Sequence, residues 1–278
     1  MTDKYAVFGN PIGHSKSPDI HRRFAVQTGE SISYEKQLVD TQGFNAAADA
    51  FFKEGGKGLN ITVPFKQDAY SYAARTTPRA RRAGAVNTLS READGTVLGD
   101  TTDGVGLVND IKRNLGWTIR HKRVLILGAG GAVRGVLEPL LAEQPQHIVI
   151  ANRTVDKALQ LAKGFAEFGY LLGCGFDMLG EQRFDLVINA TSAGLQGELP
   201  PLPDTLIDTE STAPTACYDM LYGAEPTAFM QWAQLRGGVV SDGLGMLVGQ
   251  AAESFNLWRG VQPEIAPVIA DLRLQLAR

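Results

Sequence analysis

Val124-Leu-Ile-Leu-Gly128-Ala129-Gly130-Gly131-Ala132 runs from four apolar residues into a turn of glycine and alanine. The apolar run reads as a strand buried on both faces, and apolar periodicity resumes beyond the turn as a helix beginning near Ala132. Glycines there let the backbone approach a pyrophosphate, and the first amides of the helix point at its negative charge. A GxG alone specifies little, and the third position of the fingerprint is Val133 rather than glycine. In the order strand, turn, helix, strand, completed by His147-Ile-Val-Ile-Ala151, the run specifies a dinucleotide-binding unit.

The next strand ends Ala151-Asn152-Arg153-Thr154. An acidic side chain at this point would accept from a ribose 2′-hydroxyl and repel a 2′-phosphate, whereas a guanidinium pairs with the phosphate. An arbitrary arginine reads as solvated surface, but Arg153 lies about 20 residues past the glycine turn, where the 2′ position is read. The expected cofactor is therefore NADP(H), with Asn152 and Thr154 as further hydrogen-bonding groups. Further on, Asn189-Ala-Thr191-Ser-Ala-Gly194 closes another strand with small residues, which lets a ribose or nicotinamide pack close to Thr191.

Apolar runs at Phe184 to Asn189, Ala216 to Met220 and Gly238 to Ser241 continue this parallel-sheet series. A separate series precedes it. Strand-like Tyr5 to Phe8, Tyr34 to Val39 and Gly58 to Val63 alternate with amphipathic Pro18 to Gly29 and Phe44 to Gly55. Asp103 to Gly116 reads as a connecting helix, with Val105, Leu107, Val108, Ile111 and Leu115 on its apolar side. From Met246 the pattern is helical to the end, broken by Gly260 and Pro263, and too apolar for a free tail.

The expected fold class is α/β with two domains. An N-terminal α/β substrate domain comprises 1–103 and, by return of the C-terminal helices, 245–278. A Rossmann-type doubly wound NADP domain comprises 104–244, and cofactor and substrate are expected to face each other across a cleft.

The chain has 278 residues, 44% hydrophobic and 21% charged, with a net charge of -3. Basic residues are scattered apart from short runs such as Arg79, Arg81 and Arg82, so no broad field exists to hold nucleic acid or an anionic membrane. Cys174 and Cys217 are isolated, and no His or Cys spacing signals a metal. No run of about 18 apolar residues is present to cross a bilayer. These features predict a cytoplasmic enzyme of small molecules; it is expected to be a monomer or homodimer.

Four segments of the first series carry polar groups that packing does not require: Gly9-Asn-Pro-Ile-Gly-His-Ser15-Lys-Ser17-Pro18, Asn60-Ile-Thr62-Val-Pro-Phe-Lys66, Ala85-Val-Asn87-Thr88 and Gly99-Asp-Thr-Thr-Asp103-Gly104. Each is placed at the end of a strand, where doubly wound folds gather ligands. Singly, Ser17 reads as a helix cap, Asn87 and Asp103 as turn residues and Lys66 as a solvated lysine.

Together with Gly128 to Ala132, Asn152-Arg-Thr154, Thr191-Ser-Ala-Gly194, Tyr218-Asp-Met220-Leu-Tyr222 and Asp242-Gly243-Leu-Gly-Met-Leu-Val-Gly-Gln250, these segments resemble bacterial shikimate dehydrogenases in order and spacing, over essentially the whole chain. The resemblance implies that Ser15 and Ser17 bind the substrate carboxylate with Tyr222 close by, and that Thr62, Lys66, Asn87, Asp103 and Gln250 surround the ring hydroxyls and reacting carbonyl. It also implies that Gly128, Ala129, Gly130, Gly131 and Ala132, with Asn152, Arg153 and Thr154, bind the phosphates and ribose of NADP, and that Met220 and Gly243 lie near the nicotinamide. Pro78 departs from the acidic residue of some relatives, a peripheral cofactor contact.

The implied reaction is the NADPH-dependent, reversible reduction of 3-dehydroshikimate to shikimate on the way to chorismate and the aromatic amino acids. Lys66 would donate the proton that meets the developing alkoxide, and Asp103 would orient it. Two alternatives stand beside this one: an enzyme that accepts quinate or a wider cofactor range, and a non-catalytic NADP-binding sensor.

Overall fold

The computed structural model describes residues 2–207 and 213–277, which form two compact units. The first contains the chain up to Gly106 together with Leu247–Val268; the second contains Leu107–Met246 and the segment from Ile269 onward.

In the first unit the elements are β1 (Asp3–Gly9), α1 (Ser17–Thr28), β2 (Ile32–Leu38), α2 (Phe44–Lys53), β3 (Gly56–Ile61), α3 (Lys66–Tyr72), β4 (Arg75–Thr76), α4 (Pro78–Ala83), β5 (Thr88–Arg91), β6 (Val97–Asp100) and the start of α5 (Asp103–Asn109). The sheet order is β2-β1-β3-β5-β6-β4. Strands β1, β2 and β3 are parallel, β5 runs antiparallel to β3 and β6, and β4 runs parallel to β6. Phe8, Leu59, Phe65, Ala69, Val86 and Leu89 are wholly buried in its core. Burying each of the larger of these side chains contributes about 1.5 to 3 kcal/mol. Pro18 sets the first turn of α1, and Gly29 ends the helix in the left-handed conformation.

The second unit holds β7 (Arg123–Leu127), α6 (Gly131–Ala142), β8 (His147–Ala151), α7 (Val155–Gly164), β9 (Leu171–Cys174), β10 (Leu186–Asn189), β11 (Ala216–Asp219), α8 (Ala228–Gln234) and β12 (Val239–Ser241). All six strands are parallel in the order β12-β11-β10-β7-β8-β9, which is the doubly wound 3-2-1-4-5-6 arrangement in chain order. Val124, Ile126, Ile148, Ile150, Leu186 and Ile188 pack into one core, while Leu125, Leu127, Val149, Val187 and Cys217 pack into another. Successive side chains therefore enter apolar layers on opposite faces, which is why these strands read as continuous apolar runs.

Two helices close the chain, α9 (Leu244–Arg259) and α10 (Ala266–Leu276). The sequence assigned all of 245–278 to the first unit, whereas the segment from Ile269 groups with the second. Arg273 explains the difference, since it donates to both carboxylate oxygens of Asp242, beyond β12, at 2.6 and 2.5 Å. The connecting helix also differs from the expected 103–116. After Asn109 it widens into a π-helical turn over Asp110–Asn114, where the Leu115 N–H donates to the Asp110 carbonyl. The Asp110 carboxylate accepts from Tyr218 Oη and Asn114 Nδ2, both at 2.7 Å.

Candidate active site

Three strands of the first unit bring their chemistry to one sheet edge. β1 leads into the Ser15 loop, β3 into Thr62 and Lys66, and β6 into Asp103. Asn87 corrects the sequence reading: it precedes a strand instead of ending one. Because β5 is antiparallel, its first residue, Thr88, pairs with both Asn60 near the end of β3 and Asp100 at the end of β6. Asn87 thus reaches the same edge from the opposite chain direction.

Lys66 begins α3, with Phe65 fully buried behind it, and its Nζ donates to Asp103 Oδ2 at 2.5 Å. The side chains are 19% and 10% exposed, so the pair is largely removed from bulk water while remaining open to a small ligand. Asn87 Nδ2 donates to the other carboxylate oxygen, Asp103 Oδ1, at 3.0 Å, and also faces Thr102 Oγ1 at 2.9 Å and Gln250 Oε1 at 3.3 Å. Asn87 Oδ1 accepts from the Thr102 N–H and from Thr88 Oγ1, each at 2.9 Å. Asp103 is therefore held on both oxygens, and Asn87 is committed at both ends of its amide. Lys66 uses one of its three ammonium hydrogens in this network.

The sequence reading did not single out the layer beneath. Ser254, one helical turn beyond Gln250 on α9, is fully buried and joins Thr88 at 2.8 Å, Asn60 Nδ2 at 2.9 Å and Thr102 at 3.3 Å. Tyr34 Oη donates to Asn60 Oδ1 at 2.7 Å. The available signal was the i, i+4 spacing of Gln250 and Ser254 on an otherwise apolar helix face.

Ser15 and Ser17 meet at the start of α1. Ser15 Oγ accepts from the Ser17 N–H at 3.3 Å and donates to Ser17 Oγ at 3.2 Å. The N-cap position of α1 falls on Lys16, without a side-chain cap, and Ser17, which the plain reading took as the cap, is buried just inside the helix with its N–H held by Ser15. Thr62 is half-buried and fixed by its backbone, donating to the Phe8 carbonyl and accepting from the Phe65 N–H.

In the second unit, β7 delivers the glycine turn. Gly128 has φ +106°, and a Cβ on it would stand 3.1 Å from the Ala190 carbonyl oxygen, so a side chain there is opposed by both conformation and space. Gly130 and Gly131 differ: a Cβ on either would meet no atom within 4 Å. α6 starts at Gly131 with no side-chain cap and no acid in its first turn, leaving its amides for an external anion. Ala129 and Ala132 complete the turn. Asn152 Nδ2 donates to the Thr154 carbonyl at 2.9 Å, and Arg153 and Thr154 are exposed at the start of α7. An open turn, bare helix amides and an exposed guanidinium fit a dinucleotide with a 2′-phosphate.

Thr191 and Met220 follow β10 and β11 of this sheet. Thr191 Oγ1 donates to Asn189 Oδ1 at 2.8 Å, and Asn189 Nδ2 donates to Asp219 Oδ2 at 3.2 Å. A Cβ on Gly243 would stand 2.3 Å from the Met220 carbonyl oxygen, so only glycine permits this contact. Tyr222 belongs to the second unit, half-buried; burial, with the Asp242 charge adding to it, raises its phenol above the usual range.

Residues 7–89 match the family described as shikimate dehydrogenase substrate binding domain, 110–196 match shikimate / quinate 5-dehydrogenase, and 243–273 match the shikimate 5'-dehydrogenase C-terminal domain. The shikimate dehydrogenase (NADP(+)) of Cellvibrio japonicus is 61% identical over 277 residues, 99% of each chain. The chain belongs to the shikimate dehydrogenase family. Among solved structures, the Ael1 enzyme from Pseudomonas putida is similar with a TM-score of 0.90 at 44% identity, over 98% of both chains. The shikimate dehydrogenase of Thermus thermophilus, crystallised in complex with NADP(H) and shikimate, has a TM-score of 0.86 at 30% identity, over 99% of this chain and all of that one.

The chain divides into two units, the second of them doubly wound, and the expected site residues fall on both. Ser15, Ser17, Thr62, Lys66, Asn87, Asp103 and Gln250 lie in the first unit; the glycine turn, Asn152–Thr154, Thr191, Met220, Tyr222 and Gly243 lie in the second. No helix among the described residues is long and apolar enough to cross a membrane.

Proposed function

We propose that this protein interconverts 3-dehydroshikimate and shikimate with NADP(H), in the cytoplasm, as a monomer or homodimer. The first unit acts as the substrate domain and the second as the NADP domain. The observation that carries this reading is the Lys66–Asp103 pair, held from behind by Asn87 at the edge where Thr62 and Gln250 also sit.

Ser15 and Ser17, with Tyr222, bind the substrate carboxylate. Thr62, Asn87, Asp103 and Gln250 match the ring hydroxyls, each of which costs about 1 to 3 kcal/mol if left buried without a partner. The amides and small residues of Gly128, Ala129, Gly130, Gly131 and Ala132 hold the pyrophosphate. Asn152, Arg153 and Thr154 hold the ribose 2′-phosphate, and Thr191, Met220 and Gly243 border the nicotinamide.

Bound NADPH supplies the hydride to the ketone carbon. As negative charge develops on the oxygen, Lys66 Nζ donates a proton to it, and Asp103 keeps the ammonium aimed. In the oxidising direction Lys66 takes the hydroxyl proton back. A non-catalytic sensor has no need of this buried pair.

One family description spans shikimate and quinate, so substrate range is the point to test. Initial rates on shikimate and quinate, each with NADP and NAD, decide it. The reading predicts strong preference for shikimate with NADP. Equal or better turnover of quinate assigns the broader enzyme, and no turnover by folded, NADPH-binding protein assigns the sensor.

A further inference from the structure

Arg79 belongs to one of the short basic runs, yet its side chain is only 24% exposed. Its guanidinium grips Asp100 as a fork, with Nε donating to Oδ1 at 2.7 Å and Nη2 to Oδ2 at 2.6 Å. The same Nη2 reaches Glu253 Oε1 on α9 at 3.3 Å. Asp100, its side chain 5% exposed, also accepts from Thr77 Oγ1 at 2.6 Å and from the Thr101 N–H at 2.7 Å.

Asp100 is the last residue of β6, three residues before Asp103, and Glu253 is three residues beyond Gln250. Asp103 and Gln250 are two of the three acceptors that Asn87 Nδ2 faces. The fork therefore ties together the two chain segments that deliver Asp103 and Gln250 to Asn87. Stability alone is a weak reason for such an arrangement, because well-packed apolar residues commonly replace a buried ion pair without loss.

We propose that Arg79 is a positioning residue for the reaction, setting through Asp100 and Glu253 the placement of Asp103 and Gln250 around Asn87. This rests on the roles proposed for Lys66 and Asp103. Misplacing a catalytic group through a distant substitution costs about 10²-fold. Arg79→Ala is expected to lower kcat by that order while the KM for NADPH changes little. Arg79→Lys, which keeps the charge and loses the planar fork, restores part of the loss.

The deciding experiment is a double-mutant cycle on kcat with Arg79→Ala and Asp103→Asn, run with melting curves so that rates refer to folded protein. Arg79 acting through Asp103 makes the pair strongly non-additive, with little further loss from Arg79→Ala once Asp103 is Asn. Additive losses, or undiminished kcat in folded Arg79→Ala, overturn the proposal. Wild-type turnover in Asp103→Asn instead defeats the catalytic assignment on which it rests.

If Arg79→Ala does not fold, Arg79→Lys and Glu253→Gln carry the test. Glu253→Gln removes only the charge that meets Arg79 on α9, and is expected to raise the KM for shikimate about tenfold, the scale of one charge-assisted hydrogen bond. Unchanged kinetics in both variants overturn the proposal.

Discussion

Lys66 is a surface-type residue that the fold has put to use. It opens a helix, its neighbour Phe65 is buried, and its ammonium is fixed against Asp103. Lys66→Ala should depress kcat by about 10²-fold or more in both directions while leaving NADPH binding intact. Steady-state kinetics beside an NADPH fluorescence titration measures this, and near wild-type turnover would remove Lys66 from the mechanism. Arg153 gives an independent prediction in the other unit. Replacing its exposed guanidinium with a carboxylate, Arg153→Asp, should raise the KM for NADPH at least tenfold, on the order of 1.4 kcal/mol, and narrow the gap to NADH. Parallel titrations with the two cofactors measure it; an unchanged NADPH:NADH ratio would place the 2′-phosphate elsewhere.

At the scale of elements, the glycine turn after β7 separates what the fold requires from what the cofactor requires. Gly128 is constrained by a φ of +106° and by the Ala190 backbone, so Gly128→Ala should cost about 1 to 3 kcal/mol of stability. Gly130 faces open space and has a negative φ, so Gly130→Ala should leave stability within about 0.5 kcal/mol while weakening NADPH, because the new methyl enters the space assigned to the pyrophosphate. Melting curves and NADPH titrations on the two variants test the distinction. Equal stability losses, or full NADPH affinity in Gly130→Ala, would contradict it.

Much of this level was legible in the sequence, for definite reasons. Strands β7, β8 and β10 announce themselves because both faces are buried, and the segments at Ser15, Lys66 and Asp103 stand out because packing gives them no role. What escaped notice depends on partners distant in sequence or on weak local patterns. β9 is an edge strand of partly exposed residues between glycines. The direction of β5 follows from pairing with β3 and β6, which its four residues do not encode. The Arg79–Asp100 fork joins residues that no local spacing connects, and the i, i+4 spacing of Gln250 and Ser254 does not reveal that Ser254 meets Thr88.

For the molecule as a whole, acid stability should carry the mark of His21. The ring is fully buried, stacked on Tyr34 at 4.2 Å, and neither nitrogen has a hydrogen-bond partner among the described residues. Burial lowers its pKa from the usual 6.5 to about 3; Asn60 opposes the shift, but its amide is committed to Asn87, Thr88 and Ser254. Between those values the unfolded chain binds a proton that the folded chain does not. The stability from neutral His21 is complete above pH 6.5 and declines as pH falls toward 3, by about 1.4 kcal/mol per pH unit. His21→Phe keeps a stacking ring and removes the titration. Its stability should fall less than that of the wild type between about pH 6.5 and pH 4.5, by roughly 2 to 3 kcal/mol in chemical denaturation. Parallel profiles for the two proteins would contradict this account.

The central claim is that this protein carries out hydride and proton transfer on one small hydroxylated acid. Its most direct test is the initial rate of NADPH oxidation when purified protein is mixed with 3-dehydroshikimate, with NADH in a parallel reaction. The account predicts rapid oxidation of NADPH, much slower oxidation of NADH, and stoichiometric appearance of shikimate; no oxidation by folded protein that binds NADPH would contradict it.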